Sequence, residues 1–201
     1  MNRFLKIADY VFHPLCIPTF GVLLYFLVTP RFVPQQLMLI KLLVVFILTF
    51  LIPIVFYFIL KNISLVSSIH LKTVKERKAP LVILLGLLLL LIRVVFDAYT
   101  YSALYYFFLA AMISVLASII LVYLNYKSSL HMMGISGLAM FSIALSIHFG
   151  INLLLTIAFL LFACGWVASS RLHSKSHTNT ELLVGFFIGW IPQLLMVNYW
   201  L

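Results

Sequence analysis

A polar stretch at residues 170–181 carries the densest set of chemically competent side chains in an otherwise apolar sequence. Within it, His177 and Glu181 stand four residues apart, a spacing that places two side chains on one face of a helix. A carboxylate in that position can hold the Nδ1 proton of the imidazole, which leaves Nε2 free to act as a nucleophile or a base. The guanidinium of Arg171 offers a planar set of donors that matches phosphate oxygens.

Two other polar loops carry residues of the same kind. Ser129 and His131 stand where an apolar segment begins, and a hydroxyl and an imidazole at a helix N-terminus suit an anion and a proton donor. Arg77 and Lys72 add cations in an earlier loop. Cations, two histidines and a carboxylate are the groups that phosphoryl transfer needs for charge neutralisation, nucleophilic attack and protonation of the leaving group.

The segments between these loops are long and apolar. Of the 201 residues, 65% are hydrophobic and 8% charged, whereas soluble domains average about 45–50% apolar and about 25% charged residues. A membrane-spanning helix needs about 20 apolar residues. Seven segments are candidates, the first of them interrupted by Pro14 and Pro18: 10–29, 38–60, 80–96, 102–124, 132–148, 151–168 and 181–200.

These segments predict an all-α fold, a polytopic transmembrane helical bundle of about six to seven spanning helices. We expect a single membrane-embedded domain over residues 1–201, with a motif-bearing core at about 70–200. The net charge of +9 is carried by loops that would lie beside anionic headgroups. It forms no basic stripe interleaved with aromatic residues, so no nucleic-acid partner is expected.

An even number of predicted spans separates the three polar loops. Two spans lie between loop 61–79 and loop 125–131, and two more lie before loop 169–180. All three loops therefore meet one face of the bilayer, where we expect them to form one site.

Most of the 13 Lys and Arg residues lie on this face, so the positive-inside rule predicts a cytoplasmic site in a bacterial inner membrane. Labelling a cysteine placed at Ser67 with an impermeant reagent in intact cells tests this orientation.

At these residues the chain resembles the type 2 phosphatidic acid phosphatase superfamily. The third motif of that family is Ser-Arg, five residues, His, three residues and Asp. Ser170, Arg171, His177 and Glu181 match this spacing, with Glu in place of Asp.

The other two motifs of the family are matched in part. The second motif is Pro-Ser-Gly-His, and residues 128–131 read Ser-Ser-Leu-His, so Leu130 replaces the glycine. The first motif is Lys, six residues and Arg-Pro. Here Arg77 precedes Pro80 by three residues, and His70 stands at the spacing expected of the lysine.

The resemblance implies a metal-independent hydrolase of phosphoric esters or pyrophosphates that needs no cofactor. By this resemblance, His177 would attack phosphorus and form a phosphohistidine, and Glu181 would orient the imidazole of His177. His131 would protonate the leaving lipid oxygen. The residues implied to hold the phosphoryl oxygens are Arg77, Lys72, Ser129, Ser170 and Arg171. The implied partners are the lipid bilayer and a membrane lipid phosphate of the phosphatidate, phosphatidylglycerophosphate or prenyl phosphate type.

Two other interpretations remain open. His173, His177 and Glu181 follow an i, i+4, i+8 pattern on one helical face, which could ligate zinc or iron in a membrane enzyme. The altered first and second motifs also fit a catalytically degenerate membrane protein with a binding or structural role. Release of phosphate from a lipid phosphate, with and without a chelator, distinguishes the three.

Overall fold

The computed structural model describes residues 3–68, 71 and 73–201, which leaves the predicted phosphate ligand Lys72 and its neighbour His70 outside the described residues. Over the described residues the chain is all-α and contains no strand. Eight helices follow one another: α1 (Arg3–Val11), α2 (Ile17–Val28), α3 (Gln35–Asn62), α4 (Val74–Val95), α5 (Ser102–Tyr123), α6 (Leu130–Phe149), α7 (Leu154–His173) and α8 (Asn179–Val197).

Six of these helices, α3 to α8, are long and apolar enough to cross a membrane. The shortest has 19 residues, which at about 1.5 Å per residue nearly matches a hydrocarbon core of about 30 Å. The prediction of a multi-span helical membrane protein is confirmed. Helix α4 begins at Val74, earlier than the predicted span 80–96, because a capping box formed by Thr73 and Glu76 starts it before Pro80. Arg77 therefore lies on this helix and not in a loop.

The prediction of one span over 10–29 is wrong, because two separate helices cover this segment. Its helix is broken between Val11 and Ile17, and Pro18 lies in the first turn of α2, where a residue without an amide proton is tolerated. With 12 residues, α2 is too short to cross a bilayer as a helix alone. Tyr25 near its end packs on Phe149 at the end of α6, so α2 leads away from the end of the bundle that holds α1.

Helix α6 forms the centre of the bundle and packs on α2, α5, α7 and α8. Two glycines of α8 let it approach α6 closely: Gly185 faces the backbone of Ser129, and Gly189 faces the carbonyl of Met133. At this crossing the hydroxyl of Ser136 donates to the carbonyl of Phe186 over 2.9 Å. Small residues at such a crossing are the usual means by which membrane helices gain packing and hydrogen bonds. This crossing fixes α8 against α6, the two helices whose first turns contain Glu181 and His131.

We expect Gly189→Ala to destabilise the bundle, because the added methyl group would collide with the Met133 carbonyl of α6. Overpacking of this kind costs about 1–3 kcal/mol. Gly86→Ala on α4 is the matched control, since nothing lies within 4 Å of the position its methyl group would take. Thermal unfolding in detergent should show a lower midpoint for Gly189→Ala only; equal midpoints for the two variants would contradict this packing.

Candidate functional site

Backbone groups tie the three polar loops together at one end of the bundle. The guanidinium of Arg77 donates through Nη1 to the carbonyl of Ser128 over 2.5 Å. The amide of Ser129 donates to the carbonyl of Glu181 over 3.1 Å. The ammonium of Lys127 donates to the carbonyl of Ser176 over 3.0 Å. The structure thus brings together the loops that the count of predicted spans placed on one face.

His177 and Glu181 form a close side-chain pair in this region. Nδ1 of His177 lies 2.7 Å from Oε2 of Glu181. The same carboxylate oxygen accepts the amide proton of Thr178 over 3.2 Å, while the Thr178 hydroxyl accepts the amide proton of Glu181. The expected pairing is therefore present with a different geometry: His177 precedes α8, and the capping box of that helix aims its carboxylate at the imidazole.

The side chain of His177 is only 2% exposed. Burial is the main reason why its pKa falls from 6.5 to about 4, and the charges of Arg77, Lys127 and Arg171 lower it further, although the bond to Glu181 raises it. Desolvation and nearby cations both disfavour a second positive charge. At neutral pH His177 is therefore uncharged, and the lone pair on Nε2 is available for attack.

This shift predicts how His177 responds to pH. Because the pKa in the folded protein lies below the ordinary value of 6.5, the imidazole should stay neutral as pH falls from 7 to 5 and gain a proton only near pH 4. A ¹⁵N titration of the imidazole, with the His177→Asn variant used for assignment, measures this directly. Protonation with a midpoint near 6.5 would show that the imidazole is not held among buried cations.

A cavity of about 910 Å³ opens beside this pair. His177 and His131 line it together with several basic residues, among them Arg77, Arg171 and Lys127. Arg77 is 4% exposed and donates through Nε to the carbonyl of Leu71, so backbone bonds fix its guanidinium. Arg171 has a buried Nε without a hydrogen-bond partner. The two guanidinium groups and the ammonium concentrate positive charge beside Nε2 of His177, an arrangement suited to a bound oxyanion.

The two predicted phosphate-binding serines are not among the residues that line this cavity. Ser129 is fully buried, and its hydroxyl accepts the amide proton of Met132 as the N-cap of α6. Ser170 is also fully buried, and its hydroxyl has no hydrogen-bond partner. The structure gives Ser129 a role in starting α6, and it gives neither hydroxyl a position on the cavity wall.

Sequence reasoning missed Asp9, which lies on α1 and lines the same cavity. Its Oδ2 lies 3.4 Å from Nη1 of Arg171. Its carbonyl lies 3.3 Å from Nε2 of His131, and the ring of His13 meets His131 edge-on at 5.1 Å. The available signal was that Asp9 is the first carboxylate of the chain, with no other before Glu76. A lone acid in an apolar segment has to find a partner.

The metal-ligand pattern proposed from the sequence is not formed. Helix α7 ends at His173, whose side chain is exposed, and a turn separates it from His177. One helical face therefore does not join His173, His177 and Glu181. Within 3–68, 71 and 73–201, no group of three or more His, Cys, Asp and Glu side chains is placed to hold a metal ion.

Comparison of the chain with models of protein families, with curated proteins and with solved structures gives no significant match. The length and apolarity of α3 to α8 mark the chain as an integral membrane protein of several helical spans, embedded in a lipid bilayer.

Proposed function

We propose that the protein hydrolyses a phosphate monoester or pyrophosphate of a membrane lipid through a phosphohistidine at His177. The observation that carries the proposal is the buried imidazole of His177, bonded through Nδ1 to Glu181, on a cavity shared with Arg77 and Arg171. A nucleophile, an orienting carboxylate and cations for the phosphoryl oxygens are the parts that metal-independent phosphoryl transfer uses.

In the first step the Nε2 lone pair of His177 attacks phosphorus. A P–N bond forms while the bond between phosphorus and the lipid oxygen breaks, and the leaving oxygen takes a proton that we assign to His131. The proton stays on Nδ1 of His177, and the carboxylate of Glu181 accepts its hydrogen bond. The negative charge of Glu181 stabilises the positive charge that develops on the ring. Water then attacks phosphorus and gives a proton back to His131 as the P–O bond forms and the P–N bond breaks, so inorganic phosphate leaves with Nε2 of His177 and the proton of His131 both restored.

Arg77 and Arg171 would hold the transferring group during both steps. The guanidinium of Arg77 is already fixed by the carbonyls of Ser128 and Leu71, so little reorganisation is needed when charge develops on the phosphoryl oxygens. Arg171 brings an Nε without a partner, a donor that a phosphoryl oxygen can satisfy. Lys127 contributes a third positive charge to the same cavity.

The shape of the cavity supports a lipid rather than a soluble phosphate ester. Below the polar end, its walls are mainly apolar and reach Phe107 of α5, Leu88 of α4 and Gln193 of α8. Gln193 lies 14 residues after Asn179, so the cavity extends about 20 Å from the start of α8. A hydrocarbon tail in this space would be shielded from water while the phosphate lies among the cations. Burial of each methylene group contributes about 0.8 kcal/mol.

Release of inorganic phosphate from phosphatidate and from a prenyl phosphate in mixed micelles tests the proposal. We expect release by the purified protein that is unchanged by EDTA, because the proposed chemistry uses only side chains. Loss of release in EDTA, restored by zinc or iron, would favour a metal enzyme. Absence of release from every lipid phosphate would support a binding or structural role.

A further inference from the structure

Helix α1 places an acid at the position where a phosphate is expected to bind. The carboxylate of Asp9 contacts Arg171 over 3.4 Å, and both side chains lie largely out of solvent, at 20% and 8% exposure. The carbonyl of the same residue contacts Nε2 of His131 over 3.3 Å. One residue of α1 thus engages two groups that the proposed reaction needs free, the phosphate-binding guanidinium and the imidazole that protonates the leaving oxygen.

The pairing between Asp9 and Arg171 is incomplete. A carboxylate and a guanidinium form two parallel hydrogen bonds when their geometry is optimal. Here Nη1 and Oδ2 meet, while Nε of Arg171 and Oδ1 of Asp9 are both buried without a partner. A buried polar atom without a hydrogen-bond partner is destabilising. A phosphoryl group, which has three acceptor oxygens, can satisfy the guanidinium where this single carboxylate contact does not.

Helix α1 lies against one side of the bundle, where Ala8 on it and Phe12 just after it are buried. It joins α2 through a turn at 12–16 that contains Pro14, and among the long helices it packs mainly on α7. Its outer contact there is a ring of Phe4 stacked on Trp166 at 4.4 Å, with the indole Nε1 donating to the Phe4 carbonyl over 3.2 Å. Helix α1 is also short, with nine residues and several exposed apolar side chains. Such a helix can rest in the headgroup layer of a membrane.

We propose that α1 is an autoinhibitory lid, and that the Asp9 carboxylate is an internal substitute for the phosphoryl group on Arg171. A tetrahedral oxyanion must displace Asp9 before it can bind Nη1 of Arg171 together with the unpartnered Nε, and this displacement also releases Nε2 of His131. The lid keeps Arg171 paired until a ligand with more acceptor oxygens than a carboxylate arrives. The inference rests on the proposed function for its biological meaning, although the competition between two anions can be measured without any turnover.

Orthovanadate, a phosphate mimic that needs no hydrolysis to bind, tests this competition. We expect Asp9→Asn to bind orthovanadate about tenfold more tightly than the wild-type chain in calorimetry on the detergent-solubilised protein. Asp97→Asn is the matched control, because it removes the same charge from an exposed acid in the turn between α4 and α5, and its affinity should not change. Equal or weaker binding by Asp9→Asn, or binding by neither protein, would overturn the lid.

Fluorescence of Trp166 gives a second measurement that does not depend on the Asp9 variant. In a chain carrying Trp190→Phe and Trp200→Phe, saturating orthovanadate should change the emission of Trp166 as Phe4 leaves its ring. An unchanged spectrum at saturation would show that α1 stays in place and would contradict displacement.

Tighter vanadate binding by Asp9→Asn without phosphate release from any lipid would refute only the proposed function. Phosphate release with unaltered vanadate affinity would refute only the lid.

Discussion

Replacement of His177 by alanine is expected to abolish phosphate release from lipid phosphates, with a loss of at least about 10³-fold. The reason is chemical rather than structural: without Nε2 no P–N bond can form, while the cations of the cavity remain. The capping box of α8 is formed by Thr178 and Glu181 and does not include the imidazole, so the start of the helix should survive the change. Initial rates of phosphate release in mixed micelles measure the loss.

His173→Ala is the matched control for this variant. His173 ends α7 with an exposed side chain, four residues before His177, and it does not line the cavity. Its loss should change the rate less than about twofold, within the range of ordinary surface substitutions. Full activity in His177→Ala would remove the proposed nucleophile. Equal losses in both variants would indicate damage to the turn between α7 and α8 instead of loss of a reacting group.

Replacement of Glu181 by glutamine is expected to lower the rate of phosphate release by at least about 100-fold. The amide oxygen of glutamine can still accept the Thr178 amide proton and cap α8. It lacks the negative charge that holds the Nδ1 proton of His177 and stabilises the ring as the P–N bond forms. The effect should appear mainly in kcat, because the groups proposed to bind the phosphate are unchanged.

The second capping box of the chain provides the control for Glu181→Gln. Glu76 caps α4 with Thr73 in the same way that Glu181 caps α8 with Thr178. Glu76→Gln makes the same chemical change at a helix start whose carboxylate accepts hydrogen bonds from Ser67 and Thr73 and does not line the cavity. It should leave kcat nearly unchanged. A similar fall in kcat for both variants would mean that Glu181 acts only through the helix start.

Most of the fold follows from the sequence because the spanning helices have to satisfy their backbone inside a bilayer. Length and apolarity alone therefore place α3 to α8. The break at Pro14 was harder to predict, since prolines are tolerated in membrane helices as kinks as well as breaks. The stacking of Phe4 on Trp166 packs α1 against α7. This contact places α1 at the end of the bundle where the polar loops meet, and the sequence did not predict it.

The candidate site was predictable to the extent that it depends on which face each loop meets. Counting spans places Arg77, His131 and His177 at one end of the bundle, and the structure brings them to one cavity. Contacts that depend on local backbone geometry were not predictable in the same way. The hydroxyl of Ser129 is taken up by the start of α6, and Asp9 reaches the site from 162 residues before Arg171. Ser129 stands where an apolar segment begins, so its role as an N-cap could have been predicted, whereas nothing in the spacing of the residues indicates the contact between Asp9 and Arg171.

The most direct test of the account is to trap the covalent intermediate. The protein is mixed with lipid labelled with ³²P in its terminal phosphate, quenched in alkali within one turnover and digested, since phosphohistidine survives alkali. The account predicts label on the peptide that contains His177, at an amount that rises and falls as inorganic phosphate appears. Phosphate release without bound label, or label on any other residue, would contradict the central claim that His177 attacks phosphorus.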